Sequence, residues 1–250
     1  MNNLYFNNHW LSNFGGRIID LPQYEIAQRD FNTVVVPGRD LETLQDNNRY
    51  NNVEFKRKIA FLPYINDLTA RQLVNSVIKW LTSCHGYKIY RDTYNIGYFT
   101  KAYLSKTESI VRELPTLLTT TLNFSRSAFW YSDVGQIPKD LTVHIPIKLY
   151  NHEGIPSKPI IRINRDNTQN SDLAAKLKIN DIEINLHCPR NYDYAILNGE
   201  NMQYIAYAAD GTKTFVNDVL PPDLQIGENI IELTADRSNG ISIIPNWRRL

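Results

Sequence analysis

Apolar residues alternate with polar ones along most of this chain, the period of half-buried strands. Val53, Phe55, Ile59 and Phe61 face one way while Glu54, Lys56 and Lys58 face the other. Leu141, Val143, Ile145, Ile147 and Leu149 alternate with Thr142, His144, Pro146 and Lys148, which predicts one unbroken strand. Ala175, Leu177 and Ile179 alternate with lysines, Asn180-Asp181 supplies a turn, and Ile182, Ile184 and Leu186 return. Asn198-Gly199 and Asp210-Gly211 sit between further alternating runs, where Asn and Gly accept the positive φ of tight hairpin turns. Ile231–Leu233 and Ile241–Ile243 close the pattern.

One segment departs from it. Between Thr69 and Cys84, apolar residues fall at Ala70, Leu73, Val74, Val77, Ile78 and Leu81, the spacing of an amphipathic helix. Thr69 and Gln72 form a capping-box pair, and Gly86 is placed to end the helix before a strand from Tyr87. Pro37 to Asn52 lacks alternation and predicts a long polar loop, of the kind that carries function. A seam falls near Asp133–Pro138, giving domains 1–136 and 137–250. After it, short strands recur at the spacing of a β-sandwich.

Composition narrows the function. The 250 residues are 42% hydrophobic and 21% charged, enough for a sizeable core, and the net charge is +1. No basic bias points to nucleic acid, and no run of about 18 apolar residues predicts membrane insertion. The start, MNNLYFNNHW, lacks the basic and apolar regions of a signal peptide. Cys84 and Cys188 make no disulfide framework and are read as reduced thiols.

No nucleophile elbow, P-loop or dinucleotide fingerprint occurs, so no catalytic residue, cofactor or metal is predicted. The five histidines lack metal-ligand spacing. Asn164–Asp172 carries alternate oxygen side chains, but the glycine and glutamate of a calcium loop are missing. Phe129-Trp130-Tyr131 is an aromatic cluster that reads first as packing and second as a platform for sugar or protein.

Three segments in order carry a resemblance: Val34–Leu41 (VVVPGRDL), Tyr150–Ile163 (YNHEGIPSKPIIRI) and the terminal Ile243-Ile244-Pro245-Asn246-Trp247-Arg248. With Gly97–Ala102 and Gly227–Ile231 between them, the chain resembles, over essentially its whole length, the distal tail proteins of long-tailed phages infecting Gram-positive bacteria. That resemblance implies a mainly β fold: an N-terminal β-sandwich or split barrel with one α-helix, then a C-terminal galectin-like β-sandwich. The final strand, 241–250, is then available to pack back on the first domain. It implies a structural virion protein at the distal end of the tail, assembled in the host cytoplasm. Six copies would form a ring around the DNA channel, joining the tail tube protein to a tail-associated lysin or fibre. In some phages the ring also carries receptor-binding proteins. No sequence-specific contact with nucleic acid is implied.

For such a ring, the candidate interface or channel residues are Pro37, Gly38, Arg39, Asp40, Glu42, Asp46 and Arg49. The alternative function is a carbohydrate-binding module, with Phe129, Trp130, Tyr131, His187 and Arg190 as candidate contacts. His187-Cys188-Pro189-Arg190 is superficially similar to the galectin sugar motif. It lacks the motif's Asn, and no Trp follows before Trp247 to stack on a sugar. The fold is therefore expected without lectin activity at that motif.

Overall fold

The computed structural model describes residues 2–83, 85–165, 172–216, 219–235 and 240–250. Cys84 and most of the calcium-loop candidate lie outside them. Contacts divide the chain into two compact units, Met1–Trp130 with Leu250, and Tyr131–Arg249. The division falls a few residues before the seam read from Asp133–Pro138.

The first unit is an antiparallel sheet with a helix packed on it. Its strands run in the order His9–Trp10, Leu4–Phe6, Lys88–Asp92, Tyr98–Thr107, Leu117–Arg126, Val53–Phe61 and Gly16–Ile18. Val53–Phe61 forms as its alternation predicts, with its odd-numbered residues buried. The helix runs Ala70–Thr82 and carries the Thr69–Gln72 capping box. It ends at Ser83, in right-handed helical geometry, rather than at Gly86. Gly86 takes a left-handed φ of 68° in the turn beyond. Leu73, Val77, Trp80 and Leu81 bury one helical face against Phe6, Phe55, Ile59 and Phe124. The Trp80 indole N–H donates to the Phe6 carbonyl at 2.9 Å, so the largest ring in that face is also hydrogen-bonded.

The second unit is a sandwich of a six-stranded and a four-stranded sheet. Its core draws on both, with Ile161, Leu177, Leu197, Ile231 and Ile243 essentially fully buried. The Leu173–Ile179 and Ile182–Cys188 hairpin forms as predicted, with Asn180 at φ 52°. The predicted strand 141–149 does not form as one piece. Lys139–Leu141 pairs in the six-stranded sheet and Ile147–Asn151 in the four-stranded one. Between them His144 takes φ 61° and Pro146 has no N–H to give a ladder, so the chain crosses from one sheet to the other. The 198–203 turn also differs: Met202, not Gly199, carries the positive φ, and the Asn198 side chain accepts the Glu200 and Asn201 N–H groups. Ile241–Ile244 lies between Lys139–Leu141 and Ile160–Asn164.

Gly135 sits against Trp247: a Cβ there would lie 2.5 Å from the Trp247 nitrogen. Gly135→Ala is expected to lower stability by about 1–3 kcal/mol through this overpacking. Chemical denaturation of the full chain checks it.

Candidate functional site: an exposed hairpin and its strap

Thr43–Tyr50, read from the sequence as loop, is a strand. It pairs with Arg29–Val34 as a separate two-stranded ribbon. The true loop is the tip between Val34 and Thr43. No residue of either strand is buried, and beyond the root, where Tyr50 meets the Phe129 ring at 5.7 Å, the ribbon has no core beneath it. Cross-strand polar contacts hold it. Arg29 pairs with Asp46 at 2.5 Å and lies 5.4 Å from the Tyr50 ring centroid, and Arg49 Nε donates to Asp30 at 2.5 Å. The Arg49 hydrogen bond holds the Asp30 carboxyl below its ordinary range.

Of the seven sequence-predicted residues, Pro37, Gly38, Arg39, Asp40 and Glu42 belong to the tip. Gly38 there takes a φ of 83°, which suits only glycine. Asp46 and Arg49 belong to the second strand and are spent on ion pairs within the hairpin. The apolar residues around them are more telling. Phe31, Val34, Val35, Val36, Leu41 and Leu44 are all exposed, Leu41 by 83%. A lone hairpin is marginal in water, and a stretch this apolar marks an interaction surface.

The strap leading into the hairpin, residues 19–28, is inverted. Leu21, Tyr24 and Ile26 point to solvent while Glu25 turns inward. Its inner side meets two arginines on the core face of the sheet, Arg57 and Arg126, each 2% exposed. Arg57 donates to Asp92 Oδ2 at 3.2 Å and lies over the Phe55 ring at 4.9 Å. Glu25 Oε1 stands 3.8 Å from Arg57, and Arg126 donates to the Glu25 carbonyl at 3.3 Å. The remaining Asp92 oxygen accepts the N–H groups of Tyr94 and Asn95. Burial, and then Asp92 beside it, keeps the Tyr90 phenol far above its ordinary range, so it stays a donor to Asp92. The sequence hint was slight: Arg57 occupies an inward position of an alternating strand.

A groove of about 390 Å³ lies elsewhere in this unit, between Val74, Ile78 and Leu81 of the helix and the Thr107–Ile110 turn. By strand register the hairpin's root neighbours Arg126 while the groove neighbours Leu122 and Thr119. Four to seven residues at about 3.4 Å each put them roughly 14–24 Å apart along the sheet.

The sequence-predicted sugar contacts do not converge. Trp130 and Tyr131 are buried at 7% and 1% exposure, and Phe129 packs edge-on against Tyr50. Tyr131 O–H donates to Glu200. The His187 ring lies 3.1 Å from Asp172, and the Arg190 backbone N–H donates to that same carboxylate at 2.8 Å. Those two contacts, the Arg190 N–H first, lower the Asp172 carboxyl's pKa. Burial pushes the neighbouring Cys188 thiol up to about 11, so it is an inert core group. Among the described residues no cluster of three or more His, Cys, Asp or Glu is placed to hold a metal, and no helix is long and apolar enough to cross a membrane.

These two units define a class: a mainly β chain with one helix whose fold is shared with a phage tail hub protein. One such neighbour is the crystal structure of SPP1 Dit (gp 19.1), described as a paradigm of the hub adsorption apparatus in phages infecting Gram-positive bacteria. The TM-score is 0.62 over 97% of this chain and 97% of that one, at 8% sequence identity. No protein family and no curated protein matches the chain.

Arg57→Ala is expected to cost about 3–5 kcal/mol, because it strands the buried Asp92 carboxylate. Arg57→Ala with Asp92→Ala should cost less than the two single changes added. A double-mutant cycle by urea denaturation measures that difference.

Proposed function

We propose that this chain is a structural subunit of a phage tail hub. Six copies form a closed ring around the DNA channel at the distal end of the tail. The ring joins the tail tube to the tail-associated lysin or fibre, and it is a site where receptor-binding proteins attach. The observation that carries this is the likeness to SPP1 Dit across 97% of both chains. The exposed hairpin supports it independently.

A closed ring needs two different complementary patches per subunit. The hairpin and strap supply one, with ten large apolar residues facing solvent. The helical groove supplies the other. Ile78, 47% exposed at its wall, is where a neighbour's hairpin would seat. The subunit's role is assembly rather than catalysis, and the channel passes DNA without reading it.

Light scattering behind size exclusion is expected to give about 174 kDa, six copies of 29.0 kDa, with a central hole in negative stain. A monomer at every concentration would overturn self-assembly. A second measurement isolates the hairpin. The Asn51 N–H already donates to the Gln28 carbonyl at 2.9 Å, so residues 30–49 can be replaced by a two-residue turn without stretching the chain. That variant is expected to be monomeric with a thermal midpoint within about 4 °C of the parent, because surface changes cost little. An intact ring would remove the hairpin from the interface.

A further inference from the structure

We propose that the second unit binds a saccharide residue in a cleft formed by Tyr150, His152, Trp247, Ser132, Lys139 and Glu153, a place that the galectin-like motif at His187–Arg190 does not touch. The cleft measures about 390 Å³, at the small end of ligand pockets, which run from roughly 300 to 1,000 Å³. It holds a sugar ring or two rather than a folded partner.

Its wall is aromatic. In the strand Ile147–Asn151, Leu149 turns into the core and Tyr150 turns out, 56% exposed. The His152 ring lies 4.5 Å from the Tyr150 ring at 42°, so the two rings pack on each other and steady that wall. Its floor is built and fixed. Trp247 is 9% exposed, and its backbone is pressed against Gly135, where no side chain fits. Asn246 takes φ 55° and is tied on three sides: its N–H donates to Gly135, its Nδ2 to Lys158, and its Oδ1 accepts from Gln136. A floor held so firmly is preorganised for a ligand.

The polar groups decide the occupant. Among the described residues, the Tyr150 and Ser132 hydroxyls, the Lys139 ammonium and the Trp247 indole N–H have no hydrogen-bond partner in the protein. None of them is a sealed, unsatisfied atom, so water reaches each. An apolar segment seated here would strip those groups of water without replacing it, which is unfavourable for every one of them. A saccharide suits both halves of the lining. Its C–H face lies on the Tyr150–His152 rings, and its hydroxyls meet the four open groups. This reading does not depend on the hub assignment.

The test is an array of mono- and oligosaccharides probed with the full chain, followed by calorimetric titration of any hit. The wild-type chain is expected to bind a restricted set. Tyr150→Ala should weaken that binding about 3- to 10-fold, the range of an aromatic stacking contact. Tyr150→Phe should keep most of it. Phe215→Ala, at another exposed aromatic outside the cleft (73% exposed), should change nothing. Thermal unfolding of each variant shows that the fold survives. No bound saccharide for the wild-type chain, or a hit that binds Tyr150→Ala as tightly, overturns the proposal. Light scattering on the same samples separates the two readings. A hexamer that binds no sugar overturns the cleft and leaves the hub, and a sugar-binding monomer does the reverse.

Discussion

The buried pair of Arg57 and Asp92 ties together the parts of the first unit that do different jobs. Arg57 comes from the central strand Val53–Phe61, and Asp92 ends the strand Lys88–Asp92. Asp92 organises the Tyr94–Asn95 turn, Tyr94 O–H donates to the Asp20 carbonyl, and Arg57 faces Glu25. The strap is thus fixed at both ends to a charge pair that has no exit to solvent. Two charges buried in an apolar face cost stability relative to a hydrophobic pair. Here they do what a hydrophobic pair cannot, since only a charged floor turns Glu25 inward and leaves Leu21, Tyr24 and Ile26 outside.

That inversion links the fold to the proposed assembly. A strap packed by its apolar side would bury Leu21, Tyr24 and Ile26 and leave the hairpin root without an apolar approach. Packed by its acid, it presents those residues in sequence with Phe31, Val34, Val35, Val36, Leu41 and Leu44. The ribbon's own polar contacts, Arg29 with Asp46 and Arg49 with Asp30, keep two strands paired without any core beneath them. Such exposed pairs contribute roughly 0–1 kcal/mol each, so the ribbon is only marginally stable alone. A covering partner stabilises it further, by mass action.

How much of this is legible in the sequence depends on whether a residue's role is local. Val53–Phe61, the Leu173–Cys188 hairpin and the capped helix are local, and alternation or i, i+3, i+4 spacing finds them. Thr43–Tyr50 is hidden because TLQDNNRY has neither apolar alternation nor β-branched enrichment. Its partner strand, not its own pattern, makes it a strand. The break in 139–149 is hidden for the opposite reason. The alternation is real, but one left-handed His144 and one Pro146 send its two halves to different sheets. Arg57 looks like a surface residue until Asp92, 35 positions away, is seen beneath it. The cleft draws on Ser132, Tyr150 and Trp247, which only the closed sandwich brings together.

The two units therefore differ in how they face the outside. The first leaves apolar residues uncovered on a segment with no core of its own, a surface that water penalises and another protein surface satisfies. The second covers its core almost completely. Beside scattered exposed apolar residues such as Phe215, it carries a small aromatic cleft whose polar groups are open to water, a surface selective about what replaces that water. A subunit that must be held permanently in a larger assembly needs the first kind of surface, and one that samples its surroundings needs the second. This chain carries one of each, on separate units, so the proposed assembly through the hairpin would not require any part of the proposed cleft.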